Sequence, residues 1–245
     1  MNSILIIIPT YDERDNVRPI SAATLQALPD ADILFVDDNS PDGTGKVIDE
    51  LCAEDERIHV IHKTGKAGLG RAYITGFKWA LQHDYELIFE MDADFSHDPN
   101  ELPHFVAAAE EADLVLGSRY VDGIRITNWP LRRLMLSKGA ALYVHIITGM
   151  PATDPTGGFK CYRRRVLAAI DLDLIISNGY SFQVEMTHTA WLKGFRIKEV
   201  PITFVDRRAG YSKMSSVIFS EALWLVWKLA FRYGFRRSPC PTPAS

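Results

Sequence analysis

Cysteine is scarce in this 245-residue chain, which has only Cys52, Cys161 and Cys240. Three scattered thiols make neither a disulfide framework nor a zinc site, so a reduced, cytoplasmic setting is the expectation. No basic leader is expected either. Met1-Asn2-Ser3 runs straight into five apolar residues, too short a core for a signal peptide. Spanning a bilayer takes ~20 predominantly apolar residues. The best stretch, 217–235, is interrupted by Glu221, Lys228 and Arg232. There is no Gly-x-Ser-x-Gly elbow, and His59, His62, His97 and His188 lack metal-ligand spacing. Gly65-Lys66-Ala67-Gly68-Leu69-Gly70 fails as a P-loop, since no Gly-x4-Gly precedes Lys66 and Ala67 stands where Ser or Thr is needed. It reads instead as a turn that lets backbone approach a ligand.

Hydrophobic residues make up 47% and charged residues 24%, values of a globular chain long enough for a substantial core. The net charge of −4 hides a polarity. Residues 1–118 carry 23 acidic and 8 basic side chains, and residues 119–245 carry 8 and 19. Either solvated faces differ in composition, or an acidic half holds a polyanion through a divalent cation while a basic half takes an anionic partner.

Apolar runs at 4–8, 33–36, 58–61, 87–91 and 114–117 start 25 to 29 residues apart, the length of a βα unit. They do not alternate, as expected of strands covered on both faces, so a mostly parallel α/β sheet follows. Ligands bind such sheets at the carboxyl ends of the strands. Carboxylates collect there, in Asp12-Glu13, Asp37-Asp38 and Asp92-Ala93-Asp94. Turn chemistry explains Asn39-Ser40-Pro41-Asp42-Gly43, but not like charges at several neighbouring ends. An Asp-x-Asp can flank one hard cation, Mg²⁺ or Mn²⁺, that offsets a diphosphate. In the second half, 131–147 reads as an amphipathic helix with Arg132, Arg133 and Lys138 near its start, 181–193 as a helix, and 196–205 as strand broken at Pro201. The Trp-bearing segment 217–235 fits either a core helix or one lying in a membrane interface.

These motifs resemble the polyprenol-phosphate (dolichol-phosphate) mannose synthases among the family 2 glycosyltransferases, over residues 3–215. The likeness rests on Ile8-Pro9-Thr10-Tyr11-x-Glu13, Val36-Asp37-Asp38-Asn39-Ser40-Pro41-Asp42-Gly43-Thr44 and Gly68-Leu69-Gly70-x-Ala72-Tyr73. Met91-Asp92-Ala93-Asp94-Phe95-Ser96-His97, Gly117-Ser118-Arg119-Tyr120, Asp154-x-Thr156-x-Gly158-Phe159, Phe204-Val205-Asp206-Arg207 and Ser212-Lys213 extend it. The resemblance implies a GT-A, Rossmann-like fold over 1–215; composition assigns 216–237 to an amphipathic membrane-associated helix and the Pro-rich 238–245 to a flexible tail. It implies that Pro9, Tyr11, Glu13, Val36 and Asp38 hold the base and ribose of GDP-mannose. Asp92, Asp94 and Ser96 would bind its diphosphate and the metal. Arg119, Arg133 (or Arg132 in its place), Ser137, Arg207 and Lys213 would grip a polyprenyl monophosphate, with Asp94 and Arg119 central to catalysis.

Such an acceptor has a second pKa of ~6. It arrives mostly dianionic and needs no general base, and the anomeric carbon should invert. Asp154 and Glu185 either orient sugar hydroxyls or serve the fold. Transfer of another sugar from UDP is the near alternative. A silent nucleotide-binding regulator and a nucleic-acid module are the rivals from other classes; no nucleic-acid partner is expected. Membrane contact would be peripheral, on the cytoplasmic face, directly or through a separate anchoring subunit.

Overall fold

The computed structural model describes residues 3–127, 129–205 and 226–232. The first five strands follow the apolar runs: β1 (Ile4–Thr10), β2 (Ala31–Asp37), β3 (Ile58–His62), β4 (Leu87–Glu90) and β5 (Leu114–Ser118). Between them lie α1 (Arg14–Ala27), α2 (Thr44–Glu54), α3 (Leu69–Leu81) and α4 (Leu102–Ala109). The second half adds β6 (Ile126–Thr127), α5 (Leu131–Thr148), β7 (Lys160–Arg163), α6 (Arg164–Ala169), α7 (Gly179–Leu192), β8 (Ile197–Pro201) and β9 (Phe204–Val205). Residues 226–232 are helical.

Seven strands form one sheet in the order β3-β2-β1-β4-β7-β5-β8. β7 runs antiparallel to both neighbours, β4 and β5, and the other pairings are parallel. Both faces are covered, as the unbroken apolar runs require. Leu5 and Ile7 of β1 pack under α3, α6 and α7, while Ile4, Ile6 and Ile8 pack under α1, α2 and α4. Full burial of an aliphatic side chain contributes about 1.5–3 kcal/mol, so this two-sided core dominates the stability.

The second half departs from expectation in two places. The strand expected to be broken at Pro201 is two strands in different sheets, because β9 leaves to pair with β6. α5 turns a mixed face outward, with Arg132, Lys138 and His145 exposed beside apolar residues. Val144 is buried, whereas Leu131, Met135, Leu142 and Ile146 are 59–69% exposed. Their spacing at 3.6 residues per turn makes one apolar stripe along the solvent side. Asp206, Arg207, Lys213, the 238–245 tail and most of the 216–237 helix lie outside the described residues.

Candidate active site

Turns at the ends of β1, β2 and β4 each hold a non-glycine residue at positive φ: Asp12 (60°), Asn39 (61°) and Phe95 (60°). Left-handed backbone is uncommon outside glycine and gathers where local strain serves a site. These turns surround a cavity of about 250 Å³ lined by Pro9, Tyr11, Glu13, Asp38, Asp92 and Asp94, among others. Six of the eight residues expected to take the nucleotide sugar therefore meet at one place. Val36 does not line it: its side chain is buried in the core beneath. Ser96 is also buried, and its N–H donates to Asp94 Oδ1 (3.0 Å).

Not every strand-end carboxylate faces the cavity. Asp37 accepts from Thr10 Oγ1 (3.2 Å) and Ser40 Oγ (2.5 Å), and Asp42 accepts from the Thr44 N–H (2.9 Å). Both hold turns together. Asp38 instead accepts the N–H groups of Ala67 (3.0 Å) and Gly68 (2.8 Å) and lies 2.8 Å from Lys63 Nζ. This fixes the glycine-rich loop over the cavity and sets Lys66 Nζ 3.3 Å above the Tyr11 ring. Asn178, at the start of α7, clamps the loop from outside by donating to Ala67 O (3.0 Å) and accepting from Gly70 N (2.8 Å). Sequence reasoning missed Asn178, which lies more than 100 positions from the loop.

Behind Asp92 the buried His97 ring stacks on Phe159, with centroids 4.9 Å apart. The Asp92 N–H donates to His97 Nδ1 (3.1 Å), which leaves the neutral ring's proton on Nε2, 4.0 Å from Asp92 Oδ2. Tyr73 OH lies 3.4 Å from Asp92 Oδ1, and burial raises its pKa well above the usual phenol value. Glu90 is fully buried two residues before Asp92. Desolvation pushes its carboxyl up to about 7, against the pull of Lys160. Lys160 is equally buried and desolvation brings it down to about 8. Both were overlooked, although a charge inside an apolar strand is itself a signal.

Asp92 and Asp94 present hard oxygen donors to the cavity. No cluster of three or more His, Cys, Asp or Glu suited to a metal occurs among the described residues. Two carboxylates fit Mg²⁺ or Mn²⁺, ions held by one or two protein oxygens with the rest supplied by phosphates and water.

The basic side is assembled differently. Arg119 is buried and forms a bidentate pair with Asp154, Nε to Oδ2 at 2.7 Å and Nη2 to Oδ1 at 2.6 Å, with Thr156 Oγ1 at 2.9 Å. Trp129 stands between two guanidinium groups, with Arg133 4.0 Å and Arg119 5.4 Å from its ring centre. Phe204 packs edge-on against it, and Tyr120 OH donates to Ser137 Oγ (2.7 Å). Arg119, Arg133 and Ser137 thus share one aromatic cluster. Arg132 is exposed, whereas Arg133 packs over the Trp129 ring. Asp154 and Glu185 are both fully buried. The first is engaged by Arg119 and the second accepts from the Ser177 N–H (3.0 Å), contacts that tie both into the fold.

The family profile described as Glycosyl transferase family 2 matches residues 5–171. The undecaprenyl-phosphate mannosyltransferase of Micrococcus luteus is 50% identical over 233 residues, covering 94% of this chain and 96% of that one. The polyprenol monophosphomannose synthase of Mycolicibacterium smegmatis is 49% identical over 230 residues, covering 93% and 87%. In fold, the chain is similar to a Pyrobaculum calidifontis mannosyltransferase solved with GDP-Man and Mn²⁺ (TM-score 0.63, 15% identity, 95% of this chain and 65% of that one).

Proposed function

The chain belongs to glycosyl transferase family 2 and is a glycosyltransferase of the GT-A fold; from that premise we propose that it moves mannose from GDP-mannose to a polyprenyl monophosphate, with inversion at the anomeric carbon. The observation that carries this reading is the pair of oppositely charged corners at one edge of the sheet. At the first, Asp92 and Asp94 open on the same cavity as Pro9, Tyr11, Glu13 and Asp38. At the second, Arg119, Arg133 and Ser137 meet around Trp129 and Tyr120.

Asp92 and Asp94 would hold Mg²⁺ or Mn²⁺, with Ser96 alongside, and a bound cation would neutralise charge on the departing diphosphate. Tyr11, Glu13 and Asp38 bind the nucleoside end, and the Gly65–Gly70 loop closes over it. At the acceptor corner Arg133, Arg119 and Ser137 orient a phosphate that is already mostly dianionic at neutral pH. The chain therefore needs no base for the attack. Its residues align the phosphate oxygen with the anomeric carbon and exclude water. Arg207 and Lys213, outside the described residues, complete the grip in this proposal.

The lipid tail accounts for the stripe Leu131, Met135, Leu142 and Ile146, which shares α5 with Arg133 and Ser137. No helix among the described residues is long and apolar enough to cross a membrane. Residues 1–215 act as the catalytic unit, and α5 with the helix around 226–232, where Trp227 and Phe231 are exposed, rests on the cytoplasmic membrane face.

The test is transfer of radiolabel from GDP-mannose, against UDP-glucose, to a short-chain polyprenyl phosphate with and without Mn²⁺. Incorporation from GDP-mannose alone is expected, abolished by EDTA and restored by the metal. Preference for UDP-glucose would overturn the donor assignment.

A further inference from the structure

Strand β7 is wedged between β4, whose end leads to Asp92 and Asp94, and β5, whose end leads to Arg119. Because it runs against both, its first residue sits at the end of β4 and two residues short of the end of β5, near the ligand edge. That residue is Lys160, opposite Glu90 on one side and Leu116 on the other. It is fully buried, and its ammonium donates to two neutral acceptors, Gln183 O and Thr187 Oγ1, each at 2.8 Å. Among the described residues no carboxylate oxygen comes within 4 Å of it, so its charge is hydrogen-bonded but not quenched in a contact pair.

The charges around it lie on three elements. Glu90 ends β4 and accepts from Tyr162 OH at 3.0 Å, Asp154 precedes β7 and holds Arg119, and Asp92 follows Glu90 by two residues. Lys160 attracts both Glu90 and Asp154. In a poorly polarisable interior such a field acts over several ångströms. Burying an ammonium costs several kcal/mol, which an apolar side chain in the same space would not.

We propose that Lys160 is a positioning residue for the transfer: its ammonium, fixed at the seam between the two corners, holds Glu90 and Asp154 in balance and through them aligns Asp92 with Arg119. The inference rests on the transferase reading above. During transfer, negative charge migrates from the acceptor phosphate to the leaving diphosphate, across this seam. Ground-state binding senses each corner separately, whereas the migrating charge senses both. Loss of Lys160 should therefore act on turnover more than on binding.

The experiment compares the full chain with Lys160→Met, Glu90→Gln and the double variant, measuring kcat, KM for GDP-mannose and for the short-chain acceptor, and Tm. Lys160→Met is expected to lower kcat about 30- to 100-fold while both KM values stay within about 3-fold. The double variant, neutral at both positions, should regain the lost Tm but not kcat. If it regains both, or if Lys160→Met turns over like the parent, the inference is overturned and Lys160 is a structural pair member only. Should Lys160→Met fail to fold, the double variant alone decides. Failure of the parent chain to transfer would instead overturn the transferase reading beneath it.

Discussion

The two corners hold charge by opposite means. At the proposed donor corner, backbone amides hold carboxylates: Ser96 N–H on Asp94, and Ala67 and Gly68 N–H on Asp38, which Lys63 Nζ also pairs at 2.8 Å. Amide dipoles fix a carboxylate and leave its charge intact, which suits Asp94 as a ligand in the proposed cation site. At the acceptor corner, Arg119 is held by a full counter-charge, Asp154, and by aromatic faces. The first device keeps charge available. The second keeps it in place. Substitutions should therefore cost activity at one corner and stability at the other.

The sharpest break is at Asp94. Asp94→Ala should lower transfer about a thousandfold, the scale of losing a preorganised electrostatic contact to developing charge. Tm should hold, since the side chain opens on the cavity. EDTA should copy the variant's activity without its irreversibility. Next comes Asp154→Ala, which leaves the Arg119 guanidinium buried without its carboxylate. A cost of about 3–5 kcal/mol is expected, read from urea unfolding. A thermally intact Asp154→Ala with lost activity would erase the contrast.

The same contrast explains what was legible. Part of the donor corner is local, such as Ser96 to Asp94 and Thr44 to Asp42, and turn chemistry writes those contacts into short motifs, whereas the Ala67 bond to Asp38 and the Asn178 bond to Ala67 span 29 and 111 residues. The five parallel strands were equally plain, because a strand covered on both faces has no polar side to confuse its pattern. The acceptor corner joins Arg119 to Asp154, Trp129 and Phe204 across long separations, which no periodicity encodes. β7 was missed for a related reason. A four-residue strand entering between two others is determined by its neighbours, and Lys160 gains meaning only opposite Glu90.

α7 joins the donor loop, through Asn178 at its start, to Lys160, through Gln183 and Thr187, so its melting offers a third comparison. His188 on its buried side has its pKa lowered to about 4 by desolvation. The unfolded chain binds that proton near 6.5 while the folded chain resists until about 4. Stability held above 6.5 is thus lost as pH falls through this window, by about 3 kcal/mol. His188→Gln should flatten this part of the acid limb, seen as a gap between variant and parent unfolding curves that narrows from pH 7 to pH 4. A constant gap would mean that the imidazole already titrates normally.

The smallest expected effect separates the corners most cleanly. Gly68 has φ +91°, and a Cβ there would come within 2.4 Å of Asn178 Nδ2. Gly68→Ala therefore strains the backbone by about 1–3 kcal/mol and pushes aside the amide that clamps the loop. Asn178 can swing away, so the chain should still fold, with the loop no longer seated over the cavity. KM for GDP-mannose should rise about tenfold, as one oriented contact set is lost. Nothing in this clamp touches Trp129, Arg133 or Ser137, so the acceptor KM should stay unchanged. Adding Asn178→Ala relieves the clash but not the backbone strain, and should recover part of the stability and none of the donor affinity. If the acceptor KM instead moves with the donor KM, the loop closes over both substrates and the two corners do not bind independently.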